Sequence, residues 1–516
     1  MSKSVIPGVF IAGAASAIFY SWYKSRHSVP LPPGPTGNLL LGNALDLASV
    51  ESVWLKFAEY TDEYGPLTTV RIINQNMFLI DDPHLVSELF EKRAANYSDK
   101  VVSEMAKLIG WDKDILLLPY GPLLKRYRTM LNRALNNRVA LDYIPLQQKE
   151  VQKFMKRLTE TPDDFMAHVR LLASSIAIRI GYGYEVGSYD DPLVQTAEEH
   201  MAHFSECLQY WKWMVDIFPL LRLLPSWLPI APFQRRAREA NRVFTLHRDR
   251  PFEYVKQQMA AGTAEDSFTS KLLLTEDGKP VDEETEKHVR CIAATLYAAG
   301  SDTTVSIVQS FFLAMALYPE IQAKAQAEVD SFLNHSANEG SHRMLHPRDR
   351  PNLPYTSALV RELFRWHPVV TLDGHRSSHE DDLNVVSGGK AYRIPARSSL
   401  IANLWKIMHN PEVYEQPETF MPERYLSENP PPDPENYAFG FGRRICPGMH
   451  IAQQSVWISI SNLLANFTVT KAKDKNGVEI IPEERYTSGI VSHPFPFQCT
   501  ITPKSGMKEW IHGLVE

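Results

Sequence analysis

The chain has 516 residues, with 54 lysines and arginines against 60 aspartates and glutamates, and a formal net charge of −6. A nucleic-acid-binding protein is expected to be basic overall, so this balance argues against nucleic acid as a partner. Hydrophobic residues make up 44% and charged residues 22% of the chain, a mixture that can build a large globular core.

The first predicted element is a membrane anchor at residues 1–27. Residues 4–23 carry no charge and are mostly apolar, and about 20 such residues span a bilayer as a helix. A basic cluster at 24–27 follows, which by the positive-inside rule places the rest of the chain in the cytoplasm. The alternative is a signal peptide cleaved near 15–17, but the apolar run continues past that site and the basic cluster lies on its C-terminal side.

A proline-rich segment at 28–37 follows and is predicted to be an extended, semi-rigid spacer between the anchor and the body. The body, residues 38–516, begins with β-rich runs at 67–73 and 77–80 that predict strands. From about 115 to 335 the chain is predicted to be mainly helical, and short strands and turns come later. The predicted fold class is therefore α+β, mainly α, with a large helical region and a smaller β-rich region.

Residues 208–235 combine large apolar side chains with four prolines. One interpretation is a loop that dips into the surface of the membrane. The other is a hydrophobic loop packed on the core of the protein. The sequence gives the two interpretations similar weight.

A long helix is predicted from about Lys287 to Leu317, because this stretch has no proline and its apolar residues fall on all faces, as in a buried helix. Its middle, residues 299–304, breaks the pattern. A glycine there costs about 1 kcal/mol relative to alanine, and buried polar side chains need partners. Such a local conflict often marks a functional site. A break between two shorter helices is the alternative.

The segment 439–448, FGFGRRICPG, contains Cys446 between glycines that allow tight turns. A helix is predicted to begin near Pro447, so the thiol would face the free N–H groups of a helix N-terminus, which favour the thiolate. Arg444 adds positive charge nearby. Such a thiolate is either a nucleophile or a metal ligand.

The chemistry of Cys446 can be narrowed from its surroundings in the sequence. A cysteine nucleophile usually needs a histidine base, and nothing near His450 marks a triad. Zinc needs further ligands, and the four cysteines show no C-x-x-C spacing, which also argues for a reducing compartment. A haem iron needs only one axial thiolate. An inert buried cysteine is the remaining alternative, and the pattern around Cys446 disfavours it.

The same segment resembles the cysteine loop of the cytochrome P450 superfamily. It matches F-x-x-G-x-R-x-C-x-G at every fixed position, which are Phe439, Gly442, Arg444, Cys446 and Gly448. The resemblance implies a cytochrome P450 fold with an N-terminal transmembrane helix, haem b as cofactor, and Cys446 as the ligand of the iron. The other four residues are implied to contact the haem. Further motifs of the family extend the resemblance over almost the whole chain.

Two of these motifs are implied to support the haem pocket. Glu362-Leu363-Phe364-Arg365 is similar to the E-x-x-R of the family, and Pro422-Glu423-Arg424-Tyr425 to its later Pro-Glu-Arg-Phe segment. The resemblance implies a buried ionic network of Glu362, Arg365 and Arg424. A buried network of charges is stable only when it is complete.

A third motif lies in the long helix, where residues 299–304 match A/G-G-x-D/E-T-T. The resemblance implies that Ala299 and Gly300 leave room for dioxygen beside the haem. It also implies that Asp302 and Thr303 are catalytic and relay protons through a carboxylate, a hydroxyl and water.

The haem propionates are implied to bind arginines. The family usually has W-x-x-x-R at this point, but here Leu124 replaces the tryptophan while Arg128 is kept. Arg376 and Arg444 also occupy positions implied to bind propionates, and the paired donors of arginine suit carboxylates.

The substrate pocket is implied by position in the family and is largely apolar, which suits a small lipophilic substrate. Its predicted residues are Ala298, Val369, Val370, Thr371, Leu372, Ser488, Gly489 and Ile490. The ending at 493–499 and the PERYL stretch resemble fungal members of secondary metabolism, so a terpenoid or aromatic metabolite is the predicted substrate. Oxidation of xenobiotics or fatty acids is the alternative.

The resemblance also implies partners and a location. It implies a monooxygenase that uses dioxygen and receives electrons from NADPH-cytochrome P450 reductase, with cytochrome b5 as a second candidate donor. The implied location is the endoplasmic reticulum membrane, with a single span and a cytoplasmic catalytic domain. A haem-thiolate isomerase or dehydratase and a non-enzymatic haem protein are the rival classes.

Overall fold

The computed structural model describes residues 29–48, 50–73, 75–209, 212–336, 342–377 and 380–515. The predicted anchor at 1–27 lies outside the described residues and stays a prediction. Among those residues one helix, Glu283–Leu317, is long and apolar enough to cross a membrane. Because 67% of its most apolar window is buried inside the protein, it has the features of a core helix.

The protein is mainly helical, as the sequence predicted. In chain order the helices are α1 (Ala44–Ala48), α2 (Val53–Tyr64), α3 (Pro83–Ser87), α4 (Ala94–Tyr97), α5 (Glu104–Ile109), α6 (Pro122–Leu135), α7 (Asn137–Ala140), α8 (Ile144–Glu160), α9 (Phe165–Tyr182), α10 (Pro192–Cys207), α11 (Met214–Ile217), α12 (Pro232–Ala261), α13 (Phe268–Leu272), α14 (Glu283–Leu317), α15 (Pro319–Ser336), α16 (Pro354–Trp366), α17 (Leu404–Met408), α18 (Glu435–Ala438), α19 (Met449–Asn466) and α20 (Met507–Gly513).

Three small sheets accompany the helices. Their strands are β1 (Leu67–Ile72), β2 (Gln75–Ile80), β3 (Leu372–Arg376), β4 (Asp382–Ser387), β5 (Lys390–Ile394), β6 (Ser399–Asn403), β7 (Phe467–Lys473), β8 (Glu479–Ile480) and β9 (Cys499–Pro503). The largest sheet has the order β1-β2-β6-β3, in which only the β2–β6 pair is parallel. A β4–β5 hairpin and a sheet of order β8-β7-β9 complete the β structure. The two strands predicted at 67–73 and 77–80 are confirmed as β1 and β2.

Helix α14 is continuous over 35 residues, so the alternative of a break at 299–304 is wrong. At its start, Oδ1 of Asp282 accepts a hydrogen bond from N of Thr285 at 2.7 Å and so satisfies a free N–H group. Its first turn is acidic, which the positive end of the helix dipole favours. Pro319 begins the next helix at the other end. At about 1.5 Å per residue, α14 runs about 50 Å through the protein.

Two core clusters enclose α14. One packs its C-terminal half against α8, α9, α16 and α19, with large buried side chains such as Phe311, Phe312 and Trp457. The other packs its N-terminal half against α6, α9 and α12 around Tyr297. Burial of one such aromatic side chain contributes about 1.5–3 kcal/mol. Since α14 is held along both halves, the polar residues in its middle have a defined position.

The start of the described chain lies along the sheet. The carbonyl oxygen of Pro30 accepts from N of Arg393 at 2.9 Å, and that of Pro33 accepts from N of Thr69 at 2.7 Å. These bonds tie residues 30–33, part of the predicted spacer, to β5 and β1.

The segment between α10 and α12 has an exposed apolar surface. Leu220 and Trp227 are 81% and 75% exposed, and Leu223 and Ile230 are similarly exposed. Other apolar side chains of the same segment, including Leu228, pack on a core cluster. The segment therefore packs on the core through side chains such as Leu228. Insertion of the exposed side chains into a membrane stays a prediction.

Candidate functional site

A tight loop positions Cys446 in front of helix α19. Gly440 and Gly442 have φ values of 72° and 53°, which a residue with a side chain rarely adopts. A Cβ atom on Gly442 would lie 2.1 Å from the carbonyl oxygen of Phe90, so the close approach of these two backbones also requires glycine. N of Cys446 donates to the carbonyl oxygen of Phe439 at 2.8 Å and closes the loop.

The sulfur of Cys446 faces backbone donors, which lower the pKa of its thiol but do not outweigh the effect of burial. Helix α19 begins at Met449, with Gly448 at its N-cap, two residues later than the sequence predicted. Burial raises the pKa of the Cys446 thiol, although the N–H groups of Gly448 and Met449 and the charge of Arg128 act to lower it. The N–H groups at the helix N-terminus therefore lower the pKa of this thiol as predicted, but burial raises it by more. A thiolate here needs a stronger positive partner, such as a metal cation.

In the middle of α14, the Thr303 hydroxyl has a defined orientation. Its Oγ1 donates to the carbonyl oxygen of Ala299 at 2.9 Å, one turn earlier in the helix. The hydroxyl proton is thus engaged, while the lone pairs of the oxygen stay available to accept a hydrogen bond. Ala298 is buried beside this turn.

Gly300 has a packing role that differs from the predicted one. A Cβ atom on Gly300 would lie 2.9 Å from Cβ of Ala177 in α9, closer than two such atoms can approach. The absence of a side chain at Gly300 therefore lets α9 and α14 cross closely. The predicted role of Gly300 in leaving room for dioxygen stays a prediction beside this packing role.

Asp302 is paired with a residue that sequence reasoning did not assign to the site. Nε2 of His493 lies 3.1 Å from Oδ1 of Asp302, and Nη1 of Arg170 lies 4.0 Å from the same oxygen. Nδ1 of His493 is buried and has no hydrogen-bond partner among the described residues. The chain brings this pair together from positions 191 residues apart, so no local pattern signals it.

The C-terminal loop that carries His493 is fastened to the site from two sides. N of Ser492 donates to the carbonyl oxygen of Val369 at 2.8 Å, and the Ser492 hydroxyl contacts Nε2 of His367 at 2.7 Å. Oγ of Ser306 in α14 donates to the carbonyl oxygen of Ser492. The loop therefore lies between α14 and the chain that follows α16.

The predicted pocket residues lie in several places. Of the residues in the C-terminal loop, Ser488 is exposed, Gly489 approaches Ser205 of α10, and Ile490 packs with the core cluster beneath α10 and α12. Val369 and Val370 are half-buried, and Thr371 is buried. Leu372 packs on the core of the largest sheet.

Arg444 is held by the backbone. Its guanidinium donates to the carbonyl oxygens of Ser98 at 2.8 Å and Ile115 at 3.2 Å, and also to that of Leu118. Burial, together with the neighbouring charge of Arg128, lowers the pKa of Arg444 to about 10. Arg128 itself donates through Nη1 to the carbonyl oxygen next to Cys446 at 2.7 Å. The two arginines brace the cysteine loop and leave positive charge that is only partly compensated.

Lys100 is a buried cation that sequence reasoning missed. Its Nζ lies 3.4 Å from Oδ1 of Asp373 and donates to the carbonyl oxygen of Gly374. Burial lowers the pKa of Lys100. Although burial opposes it, the charges of His375 and Lys100 hold the pKa of Asp373 below its usual range.

The cations of this region outnumber its carboxylates. They are Lys100, Arg128, Arg376 and Arg444, against Asp99 and Asp373. Arginine binds carboxylates well, so these cations suit the two propionates of a haem. A thiol that needs a metal partner and a group of cations beside it together fit a haem.

A buried ionic network lies behind the cysteine loop. Arg365 donates to Glu362 from Nη2 at 2.7 Å and from Nε at 2.9 Å, and both side chains are fully buried. Nε of Arg424 lies 3.2 Å from both oxygens of the same carboxylate, and N of Met421 donates to it at 2.9 Å. The remaining donors of both arginines bind backbone carbonyls, including that of Thr419. Because each charge has several partners, the network holds the turn at 415–424 against α16.

Leu124 lies in the core. It is buried in the cluster that contains Leu118, Tyr127 and Tyr297, where a leucine needs no polar partner. The chain therefore uses this position for packing between α6 and α14.

The chain is similar to known proteins in sequence and in fold. The family model described as Cytochrome P450 matches residues 32–501. Cytochrome P450 monooxygenase claR from Ampulloclitocybe clavipes is 37% identical over 502 residues, which cover 96% of this chain and 90% of that protein. Cytochrome P450 monooxygenase 208 from Postia placenta is 36% identical, with 96% and 94% covered. A solved structure of a zebra fish cytochrome P450 with abiraterone has a TM-score of 0.68 at 21% identity, covering 88% of this chain and 100% of that one, which shows a common fold.

Proposed function

Because this chain belongs to the cytochrome P450 family, we propose that it is a haem b monooxygenase that draws electrons from NADPH-cytochrome P450 reductase and oxidises a small lipophilic substrate. Hydroxylation and epoxidation are the proposed reactions. The observation that carries the proposal is the cysteine loop. It presents one half-buried thiol next to the cationic region of Lys100, Arg128 and Arg444.

The residues around Cys446 would hold the cofactor. Cys446 would ligate the iron, and the N–H groups of Gly448 and Met449 would stabilise the charge on its sulfur. Arg128, Arg376 and Arg444 would face the propionates, with Lys100 beside them. Phe439 and Gly442 would shape the loop beneath the haem, and Ala299 would lie in the wall of α14. When bound, the haem supplies an iron centre that activates dioxygen, and a thiolate ligand favours cleavage of the O–O bond.

Asp302 and Thr303 are proposed as the proton-handling residues of the reaction. The Thr303 oxygen can accept a hydrogen bond while its proton is held on the Ala299 carbonyl. The Asp302 carboxylate lies in contact with the His493 imidazole, which connects it to a second titratable group. General acid–base catalysis needs such groups within hydrogen-bond reach of one another or of a bridging water.

This arrangement favours a monooxygenase over the rival classes. A haem-thiolate isomerase or dehydratase needs no electrons and no proton delivery to dioxygen. A haem carrier needs no acid–base pair in the pocket. The paired Asp302 and His493 beside Thr303 form the arrangement that proton delivery to dioxygen would use.

The substrate is proposed to be a fungal secondary metabolite, such as a terpenoid or aromatic compound. The two monooxygenases compared above by sequence come from fungi. The predicted pocket residues are mostly apolar, among them Ala298, Val369, Val370 and Ile490. An apolar pocket suits a lipophilic molecule. Xenobiotics and fatty acids have the same general character and are the alternative substrates.

We propose that the protein acts at the endoplasmic reticulum membrane. The predicted anchor would tether it, and the exposed apolar side chains between α10 and α12, such as Leu220 and Trp227, would enter the lipid surface. Near the cysteine loop, the exposed side chains of Lys125 and Arg443 flank the ring of Tyr120 at 5.4 and 4.7 Å. This basic patch is proposed to dock the acidic surface of the reductase or of cytochrome b5.

The test is a reconstitution of the full chain with the reductase in lipid vesicles. NADPH use, dioxygen use and product are measured against a library of terpenoids, aromatics, fatty acids and drugs. We expect substrate-dependent consumption of both co-substrates and a product heavier by one oxygen atom. In the matched variant Thr303→Ala, haem binding should persist while less of the NADPH yields product. A substrate that binds tightly but triggers no NADPH or dioxygen use would refute the monooxygenase assignment.

A further inference from the structure

Three potential metal ligands meet between helices α10 and α12, outside the site described above. Glu199 and His203 are one turn apart on α10, and Glu239 lies opposite them on α12. One ligand atom from each residue lies within 4.8 Å of the other two. Glutamate and histidine four residues apart project from the same face of a helix.

The His203 imidazole is buried but makes no hydrogen bond among the described residues. Its side chain is 4% exposed, and its Nδ1 has no partner. Its Nε2 lies 3.9 Å from Oε1 of Glu199, which is too long for a hydrogen bond. Because Nε2 faces the Glu199 carboxylate without reaching it, an ion between the two would give this nitrogen a partner. Burial, with the nearby charge of Arg236, also lowers the pKa of His203 and keeps the ring in the neutral form that binds metals.

The two carboxylates retain free oxygens although arginines surround them. Arg242 approaches Oε1 of Glu199 at 3.5 Å, and Arg236 donates to Oε2 of Glu239 at 3.0 Å. Arg236 also binds Glu206. The other oxygen of Glu199 and of Glu239 has no partner among the described residues and can coordinate an ion while the arginine contacts persist.

We propose that Glu199, His203 and Glu239 bind a divalent transition metal ion of the zinc type, which clasps α10 to α12. One imidazole and two carboxylates are ligands that zinc accepts, with water in the fourth position. Metal–ligand bonds of about 2.1 Å place neighbouring ligand atoms about 3.4 Å apart in a tetrahedron. The half-exposed glutamate side chains reach that spacing by moving about 1 Å on the helix surface, whereas the buried histidine is already fixed.

The clasp would act on the two helices that bound the exposed apolar segment. Phe204 of α10 and Phe244 of α12 both pack on Trp111, with ring centroids 5.0 and 6.4 Å away. An ion that joins the helices one turn from these rings would restrict their relative motion. Binding of an ion to the folded state alone also raises the unfolding temperature.

The proposal goes beyond the monooxygenase function and is tested by binding. The haem-loaded full chain in detergent is freed of metal with a chelator, and zinc is titrated in competition with a chromophoric chelator. We expect one zinc ion per chain and a higher unfolding temperature. Glu239→Gln and His203→Leu should each weaken binding at least about tenfold, because each removes one of three protein ligands.

The matched control is Glu253→Gln. Glu253 lies on α12, like Glu239, and has the same 49% exposure as Glu199. It pairs with Arg290, and among the described residues it forms no ion pair with a histidine. It should bind zinc as the unchanged protein does. Glu199→Gln gives a second, surface-exposed variant whose folding is checked by its haem content. If no stoichiometric zinc binds, or if the Glu199, His203 and Glu239 variants bind it as tightly as the control, the clasp does not exist. Since zinc binding is measured without NADPH or reductase, that result leaves the proposed monooxygenase function untouched.

Discussion

Nε2 of His493 lies 3.1 Å from Oδ1 of Asp302, which brings the C-terminal loop into contact with the polar middle of α14. Both side chains are largely buried, and the loop is fixed by the bonds of Ser492 to Val369 and Ser306. The carboxylate therefore faces a group that can carry a proton. This contact is the basis of the first prediction.

We expect His493→Gln to lower the yield of product per NADPH about tenfold or more. Glutamine can still donate to Asp302, but it cannot take up and release a proton. Haem content and substrate affinity should stay unchanged. Product and NADPH are measured together across a pH series, and Asp302→Asn and the double variant are included to test whether the two residues act as a unit. His512→Gln, far away in α20, is the control, and equal yields in both histidine variants would rule out the relay.

Cys446→Ser should abolish the thiolate-type carbon monoxide spectrum of the reduced protein, because a serine hydroxyl is not a thiolate ligand. Cys291→Ser is the matched control, since that cysteine is also half-buried but lies in α14 away from the loop. The reduced carbon monoxide difference spectrum of both variants gives the readout. Retention of the spectrum in Cys446→Ser would remove this residue as the iron ligand.

Glu362→Gln should destabilise the protein by about 3–5 kcal/mol, because it leaves Arg365 and Arg424 buried without their carboxylate. Denaturant unfolding and the rate of haem loss measure the effect. Glu59→Gln is the control. Glu59 forms an exposed pair with Lys56 at the same three-residue spacing on a helix, and its loss should leave both measurements unchanged.

Gly300→Ala should destabilise the protein by about 1–3 kcal/mol, because the new methyl group would overlap with Ala177. Ala177→Gly in the same chain should restore most of the stability and the haem content. If Gly300 instead served to leave room for dioxygen, the double variant would remain defective. Thermal unfolding and product yield of the three variants distinguish the two roles.

Stability should fall with acid through His247. Burial lowers its pKa to about 4, against a usual value of about 6.5. Above pH 6.5 the ring is neutral in both states, whereas between pH 6.5 and about 4 only the unfolded chain takes up the proton, so the free energy of unfolding decreases. His247→Gln keeps a donor for the carbonyl of Ala294 but cannot titrate. Its pH slope in this range should be shallower by up to about 1.4 kcal/mol per unit, and an equal slope would contradict the prediction.

Local patterns were sufficient for the elements and for the cysteine loop. The apolar run without proline predicted α14, and the β-rich runs at 67–73 and 77–80 predicted β1 and β2. The spacing of glycines, Arg444 and Cys446 indicated a haem ligand because each of these residues acts on its near neighbours in the chain. Glu362 and Arg365 share one face of α16 for the same reason.

Other features depend on contacts between residues far apart in the sequence. The pairing of His493 with Asp302, the cation Lys100 beside Asp373, and the packing of Gly300 on Ala177 all join separate elements. Burial is also a property of the folded chain. It raises the pKa of Cys446 by more than the N–H groups of the helix N-terminus lower it. The sequence alone determined the element types and predicted the ligand, since these follow from neighbours. The tertiary structure decided charge, packing and pairing, since these depend on what the fold places around each group.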